Sequence, residues 1–318
     1  MNNLLAIKRL GSNDCGIVKT DKRSYRNTRG IRCQPVLLLI TSWKLMPHLA
    51  ALFPPVIPTL FMKILITNDD GVHAQGIIQL ANRVRQFADD VFVVAPAIEQ
   101  SGVSQAITFL SPLFPVKLGG EKDSQDNHIP GYSVNGTPVD CVKLAITELC
   151  PWKPDLILSG INAGLNAGVN VCYSGTVGAA LAASTFGILS MAISVEYQHS
   201  IDFHRAAEIA SPIIERFSRM THPPRTVINI NIPTFALTGD AEIAVVPVET
   251  NPMGYAFTQG NDPKGRNYFW STNNPPPKLS PVESDCVALL TGKITVSALT
   301  YDMNSPTALA GLRAANGR

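Results

Sequence analysis

Lys63–Ala88 reads KILITNDDGVHAQGIIQLANRVRQFA. Its first five residues are a short β-rich run. The segment from Gly76 then carries Ile77, Ile78, Leu80, Ala81, Val84 and Phe87 at helical spacing, so the stretch reads as strand, loop, helix. The same alternation continues outward. VFVVAP (Val91–Pro96) is a second strand; a polar loop around Glu121–His128 follows, then a helix from about Asp140 to Leu149. DLILSG, ILSMAISV and TVININIP read as further strands, with helices near Val177–Thr185 and over His204–Phe217. Apolar strands alternating with amphipathic helices predict a parallel sheet covered on both faces, because each crossover helix must pack back onto it. The expectation is a doubly wound α/β domain over about 62–235, with its boundary placed at 238.

Beyond Gly239 the alternation stops. Residues 239–318 are rich in Pro, Asn and Gly over Asn251–Gly265 and Asn273–Lys278, with short strand-like runs EIAVVPVE, NYFW and KITVSAL. This predicts a smaller β-rich extension suited to oligomer contacts or to covering a site. Residues 1–61 also differ. They are basic and non-periodic to about Arg32, then apolar from Val36 to Phe61 but broken by Lys44, Pro47, Pro54, Pro55 and Pro58. Charges and repeated prolines suit a membrane span badly. The segment is expected to be an extension outside the fold; a targeting signal and an accessory segment are the alternatives.

Composition narrows the function. With 45% hydrophobic and 16% charged residues the chain suits a globular protein with a sizeable core. The net charge is +2, and Lys and Arg are scattered after the opening stretch, so polymeric nucleic acid is not expected as a partner. Cysteines at 15, 33, 141, 150, 172 and 286 form no CxxC pair, which predicts free thiols in a reducing compartment, the cytoplasm. P-loop, dinucleotide, serine-hydrolase and zinc-protease motifs are absent.

In open α/β sheets ligands sit at the carboxyl ends of strands. After KILIT stand Asn68-Asp69-Asp70-Gly71, two adjacent carboxylates that repel unless a cation or basic groups lie between them. Gly71 lets the backbone turn there. Hard oxygen donors favour Mg²⁺, Mn²⁺ or Ca²⁺ over zinc; the plain alternative is an Asx turn capping the next helix. After VFVVAP comes Glu99-Gln100-Ser101-Gly102, and after DLIL the glycine-rich SGINAGLNAG (Ser159–Gly168), whose Asn162 and Asn166 offer carbonyl oxygens. Ser174-Gly175-Thr176 opens a helix, where hydroxyls and free N–H groups suit a phosphate or simply an N-cap. Gly136–Asp140 reads as a turn with a helix start. His73 is the one histidine near this centre and reads as a loop residue.

Taken in order, ILITNDDG, Gln100-Ser101-Gly102, GTPVDCVK, PDLILSGINAGLNAG, YSGTVGAALAA and NINIP resemble the SurE survival-protein family, the 5'/3'-nucleotidases. The resemblance spans Met62–Pro233 and extends weakly to ITVSAL. It implies a Rossmann-like α/β domain, assembly as a homodimer or homotetramer through the C-terminal extension, and release of phosphate from nucleoside monophosphates with one divalent ion, Mg²⁺ or Mn²⁺. By matching position it implies that Asp69, Asp70, Ser101 and Asn162 ligate the metal, with Asp69 and Asp70 catalytic. Asn166, Ser174, Gly175 and Thr176 would line the phosphate pocket. Ala97, Gln100 and Asn170 depart from the family's pattern, Gln100 standing where an arginine is usual. A nucleotide-binding regulatory protein that has lost turnover is the alternative reading.

Overall fold

The computed structural model describes residues 5–10, 14–19, 62–119, 129–251, 256–272 and 282–316. The apolar stretch Val36–Phe61, the loop Glu121–His128 and the run Asn273–Lys278 lie outside them. The chain divides into two compact units, Met1–Pro58 and Thr59–Arg318. In the first, β1 (Leu5–Leu10) pairs antiparallel with β2 (Asp14–Lys19), strands that the basic, non-periodic reading did not anticipate.

The second unit follows the alternation read from the sequence. In order come β3 (Lys63–Thr67), α1 (Gln75–Val84), β4 (Asp90–Pro96), β5 (Pro115–Lys117) and β6 (Gly131–Val134). They are followed by α2 (Pro138–Leu144), β7 (Leu156–Ala163), α3 (Gly175–Thr185), β8 (Leu189–Val195), α4 (Phe203–Ser218) and β9 (Val227–Ile232). Strands β6, β4, β3, β7, β8 and β9 are parallel neighbours in that spatial order. β5, too short and too polar to announce itself, pairs antiparallel on the β6 edge.

The period-2 pleat divides each strand between two cores. Ile64 and Ile66 face the layer made by α1 and α4, with Ile77, Leu80, Val84, Ile213 and Ile214. Leu65, between them, faces α2 and α3, with Val142, Ala179 and Ala183. Helix α1 buries Ile77, Leu80, Ala81 and Val84, the positions its spacing selected. The helix expected over Asp140–Leu149 is α2 run into a π-helical turn over Ala145–Leu149. Thr137 caps α2 through a capping box with Asp140, a Thr-x-x-Asp start reinforced by Pro138.

Past Gly239 the sheet continues. After α5 (Thr234–Thr238) come β10 (Ile243–Val245), β11 (Ala256–Asn261), β12 (Asn267–Thr272), α6 (Asp285–Leu290), β13 (Ile294–Leu299) and α7 (Pro306–Ala315). β13, from KITVSAL, pairs antiparallel with β9, and β10 lies parallel to β13 at the sheet's far edge. The run EIAVVPVE yields only the three residues of β10 because Pro247 lacks the ladder donor. β11 and β12 form a separate antiparallel hairpin, and none of the residues of α7 is buried. Among the described residues no helix is long and apolar enough to cross a membrane.

Leu158, fully buried at the centre of β7, tests the packing: Leu158→Ala is expected to cost about 2–5 kcal/mol, read as a lower urea midpoint at unchanged slope. A loss under about 1 kcal/mol would contradict this close packing.

Candidate functional site

β3 ends at Thr67, and the chain turns through Asn68–Gly71 at the carboxyl edge of the sheet. The turn is held by its own residues: Asn68 Nδ2 donates to Gly71 O at 2.8 Å, and Val72 N to Pro96 O at 2.8 Å. Gly71 sits at φ +99°, a conformation L side chains rarely adopt. Neither carboxylate caps α1, whose N-cap Ala74 has no side-chain cap bond. The plain Asx-cap reading therefore does not explain the acidic pair.

Asp69 is buried, with no basic partner among the described residues. Its Oδ2 accepts from Thr176 N at 3.0 Å and its Oδ1 from the Thr176 hydroxyl. Helix α3 thus points its N-terminus at the carboxylate, a favourable end for negative charge. The approach demands glycine at 175, because a Cβ there would lie 2.9 Å from both Asp69 Cβ and Oδ2. Asp70, half-buried, accepts at Oδ2 from Ala163 N at 3.2 Å, which sets it beside the end of β7. The loop after β4 arrives by Gln100 N donating to Asp69 O at 2.7 Å.

Burial pushes the Asp69 carboxyl above its usual range, opposed by the Thr176 hydrogen bonds. Burial, then the Asp69 charge, pushes Asp70 up to about 6, with Glu99 adding repulsion to both. No ion pair among the described residues involves either carboxylate. Two carboxylates raised by burial and by neighbouring negative charge are what a hard divalent cation would relieve. The donor chemistry fits one. Asp70 Oδ1 has no donor among the described residues, and Asn162, whose Nδ2 donates to Gly164 O at 2.7 Å, keeps its Oδ1 free. No cluster of three His, Cys, Asp or Glu stands ready for a metal among the described residues, so a cation here would need neutral oxygens to complete its set.

The other expected residues are placed as follows. Ser101 is exposed on the β4 loop, its hydroxyl donating to Glu99 Oε1 at 2.7 Å. Ser174 caps α3 by accepting from Val177 N at 3.1 Å. Thr176 is committed to Asp69, and Gly175 N has no acceptor among the described residues. Asn166 is buried away from the acidic pair's hydrogen bonds. Its Nδ2 donates to Ser194 Oγ at 2.9 Å, its N to Asn231 Oδ1 at 2.8 Å, and its carbonyl accepts from Asn229 and Asn231.

Two contributors escaped the sequence reading. In the sequence Glu99 is only part of a loop, whereas in the structure its charge acts on both carboxylates. Asp140, taken as a helix start, also accepts from Thr108 N with both oxygens and so holds the loop that follows Ser101. The helix start at Gly136–Asp140 is legible in the sequence, and the bonds from Thr108 N are not.

The family described as survival protein SurE matches residues 64–254 of this chain. A protein named 5'-nucleotidase SurE from Rhodopirellula baltica is 40% identical over 253 residues, covering 79% of this chain and 98% of its own length. A protein of the same name from Solidesulfovibrio magneticus is 38% identical over 256 residues, covering 80% and 98%. The crystal structure of the SurE protein from Aquifex aeolicus superposes with a TM-score of 0.68 at 30% identity, covering 80% of this chain and 99% of that one.

The raised carboxylates set a sign for stability. Unfolded, an aspartate releases its proton near 3.8, whereas folded Asp70 holds it to about 6. Between those values the native state binds more protons, so stability falls as pH rises. In EDTA, urea unfolding is expected to show this pair's destabilisation growing from pH 4 to pH 6 in a comparison of the unaltered chain with Asp70→Asn. A difference between the two chains that does not change with pH would contradict the assignment.

Proposed function

Because the chain belongs to the survival protein SurE family, we propose that it is a 5'-nucleotidase, a phosphomonoesterase that converts nucleoside 5'-monophosphates, and 3' esters as a second class, to nucleoside and phosphate. The observation that carries this reading is the seating of buried Asp69 on the N-terminus of α3 through Thr176. An acidic pair with a hard-oxygen donor set then lies beside an N–H-rich helix start, the combination a metal-assisted phosphoryl transfer needs.

Asp69, Asp70, Ser101 and Asn162 would hold one divalent ion, Mg²⁺ or Mn²⁺. When bound, that ion supplies Lewis-acid polarisation of a phosphoryl oxygen and activation of water. The chain's own residues do the rest. Gly175 N and the Ser174 hydroxyl grip the phosphate at the positive end of α3. Asp70, with Oδ1 uncommitted, is the carboxylate open to take a proton from the attacking water. Thr176 and Asn166 act from behind, through the carboxylate and the loop that they fix.

A second reading rests on Gln100, which stands where the resemblance leads one to expect an arginine. No cationic side chain among the described residues pairs with Asp69 or Asp70, and a chain that keeps the pocket without turnover would bind AMP and release nothing.

Within this reading, residues 62–238 form the nucleotidase domain and residues 239–318 the assembly surface of a homodimer or homotetramer. Exposed Phe257 and Phe269 on one face of the β11–β12 hairpin, with exposed Trp270 on the other face, support the second part, since clustered exposed apolar side chains mark contact surfaces. The free thiols Cys141, Cys150, Cys172 and Cys286 fit a reducing compartment, and the cytoplasm is the proposed location.

With Mn²⁺ or Mg²⁺ the chain should release phosphate from AMP, EDTA should abolish release, and Asp69→Asn should lower kcat by a factor on the order of 10² or more. Undiminished activity in EDTA or in Asp69→Asn would contradict the function; tight AMP binding without release would favour the second reading. For assembly, light scattering should give a multiple of 34.2 kDa for the unaltered chain and 34.2 kDa for the double variant Phe269→Ser, Trp270→Ser. An unaltered chain already at 34.2 kDa would overturn the assembly proposal.

A further inference from the structure

A carboxyl group buried away from water needs donors for its oxygens. Asp285, in the first turn of α6 and fully buried, meets that need with three backbone N–H groups. Its Oδ1 accepts from Cys286 N at 2.7 Å and Glu249 N at 2.8 Å, and its Oδ2 from Gly168 N at 2.9 Å. The first two donors belong to the C-terminal extension. The third belongs to the loop between β7 and α3, 117 positions earlier. Packing at that junction is close: a Cβ on Gly168 would lie 3.0 Å from Cys286 Sγ and 3.6 Å from Glu249 Cβ. Ser284 Oγ completes the buried cluster by donating to Glu249 Oε2 at 3.1 Å.

Gly168 opens the 3-10 turn Gly168–Cys172. Asn170 O in that turn accepts from Ser174 N at 3.2 Å, and Ser174 then caps α3. Upstream of the turn, Asn166 is already tied to Asn229 and Asn231. The start of the turn is thus held from the C-terminal extension, while its end carries the residues proposed to grip phosphate.

We propose that Asp285 is a positioning residue for the phosphate pocket: its hydrogen bond from Gly168 N sets the start of the turn that delivers Ser174 and Gly175. The proposal rests on the phosphomonoesterase reading of that pocket. It leaves the acidic pair largely apart, because Thr176 and Ala163 anchor Asp69 and Asp70 independently. The C-terminal extension then acts on substrate binding and not on assembly alone.

The test compares Asp285→Asn and Gly168→Ala with the unaltered full chain, supplied with Mn²⁺. Asparagine keeps the volume and one acceptor oxygen; with that oxygen on Glu249 N and Cys286 N, its amide NH₂ confronts Gly168 N, donor against donor. Gly168→Ala disturbs the same junction from the loop side, at φ +57°, and carries the test if Asp285→Asn does not fold. Both should raise the KM for AMP and the Ki for inorganic phosphate about tenfold, the size expected for losing one strong hydrogen bond, with kcat and the Mn²⁺ half-saturation within about twofold. KM and Ki unchanged, or all four quantities failing together, would overturn the proposal. An unaltered chain that releases no phosphate from AMP counts against the functional reading alone; calorimetric binding of inorganic phosphate then reads the same shift.

Discussion

The site depends on the grip of Thr176 on Asp69. An ionised carboxylate taken out of water without a countercharge costs several kcal/mol, and here two donors from one residue, a backbone N–H and a hydroxyl, offset part of that cost. Both donors sit in the first turn of α3, so the bond fixes the helix as well as the carboxylate. It also accounts for the sequence around it. Residue 175 has to be glycine for the helix start to come this close, and α3, mostly Ala, Gly, Ser and Thr with Val177 and Leu181, is buried along most of its length. Asp70, the next residue, is left facing the end of β7 with one oxygen uncommitted.

Around this bond the fold arranges three strand ends and one helix start. Parallel strands β4, β3 and β7 bring their carboxyl ends to one edge; backbone hydrogen bonds join the loops after β3 and β4, and the Asp70 carboxylate joins the end of β7 to them. The buried asparagines behind them do different work. Asn229 and Asn231 both donate to the Asn166 carbonyl, and Asn231 accepts from Asn166 N, across β9 and the β7 loop, a network whose value lies in fixing that loop. Asp285 in α6 likewise ties the C-terminal extension to the loop between β7 and α3, through its bond from Gly168 N.

The architecture was legible because apolar runs and helical spacing report burial directly. The order of β3, α1, β4, β7, α3, β8, α4 and β9 could be read from Ile, Leu and Val positions alone. Strands β5 and β6 could not, since PVK and GYSV are too short for a period to register and owe their pairing to β4. α6 and α7 were missed beyond Gly239 because proline and asparagine around them masked short helical runs. At the site, strand-end position and residue chemistry singled out Asp69, Asp70 and the Ser174–Thr176 start. They did not reveal that Thr176 turns inward onto Asp69, or that Asn166 faces Ser194. Such pairings span up to 107 residues and leave no local pattern.

The central claim is that Asp69 and Asp70 share one hard cation with Asn162 beside the start of α3. Anomalous diffraction from a crystal of the chain grown with Mn²⁺ tests it most directly. The account predicts a single strong peak in contact with the two aspartates and the Asn162 side chain. A peak bound elsewhere, with these carboxylates in contact only with Thr176 and Ala163, would contradict it.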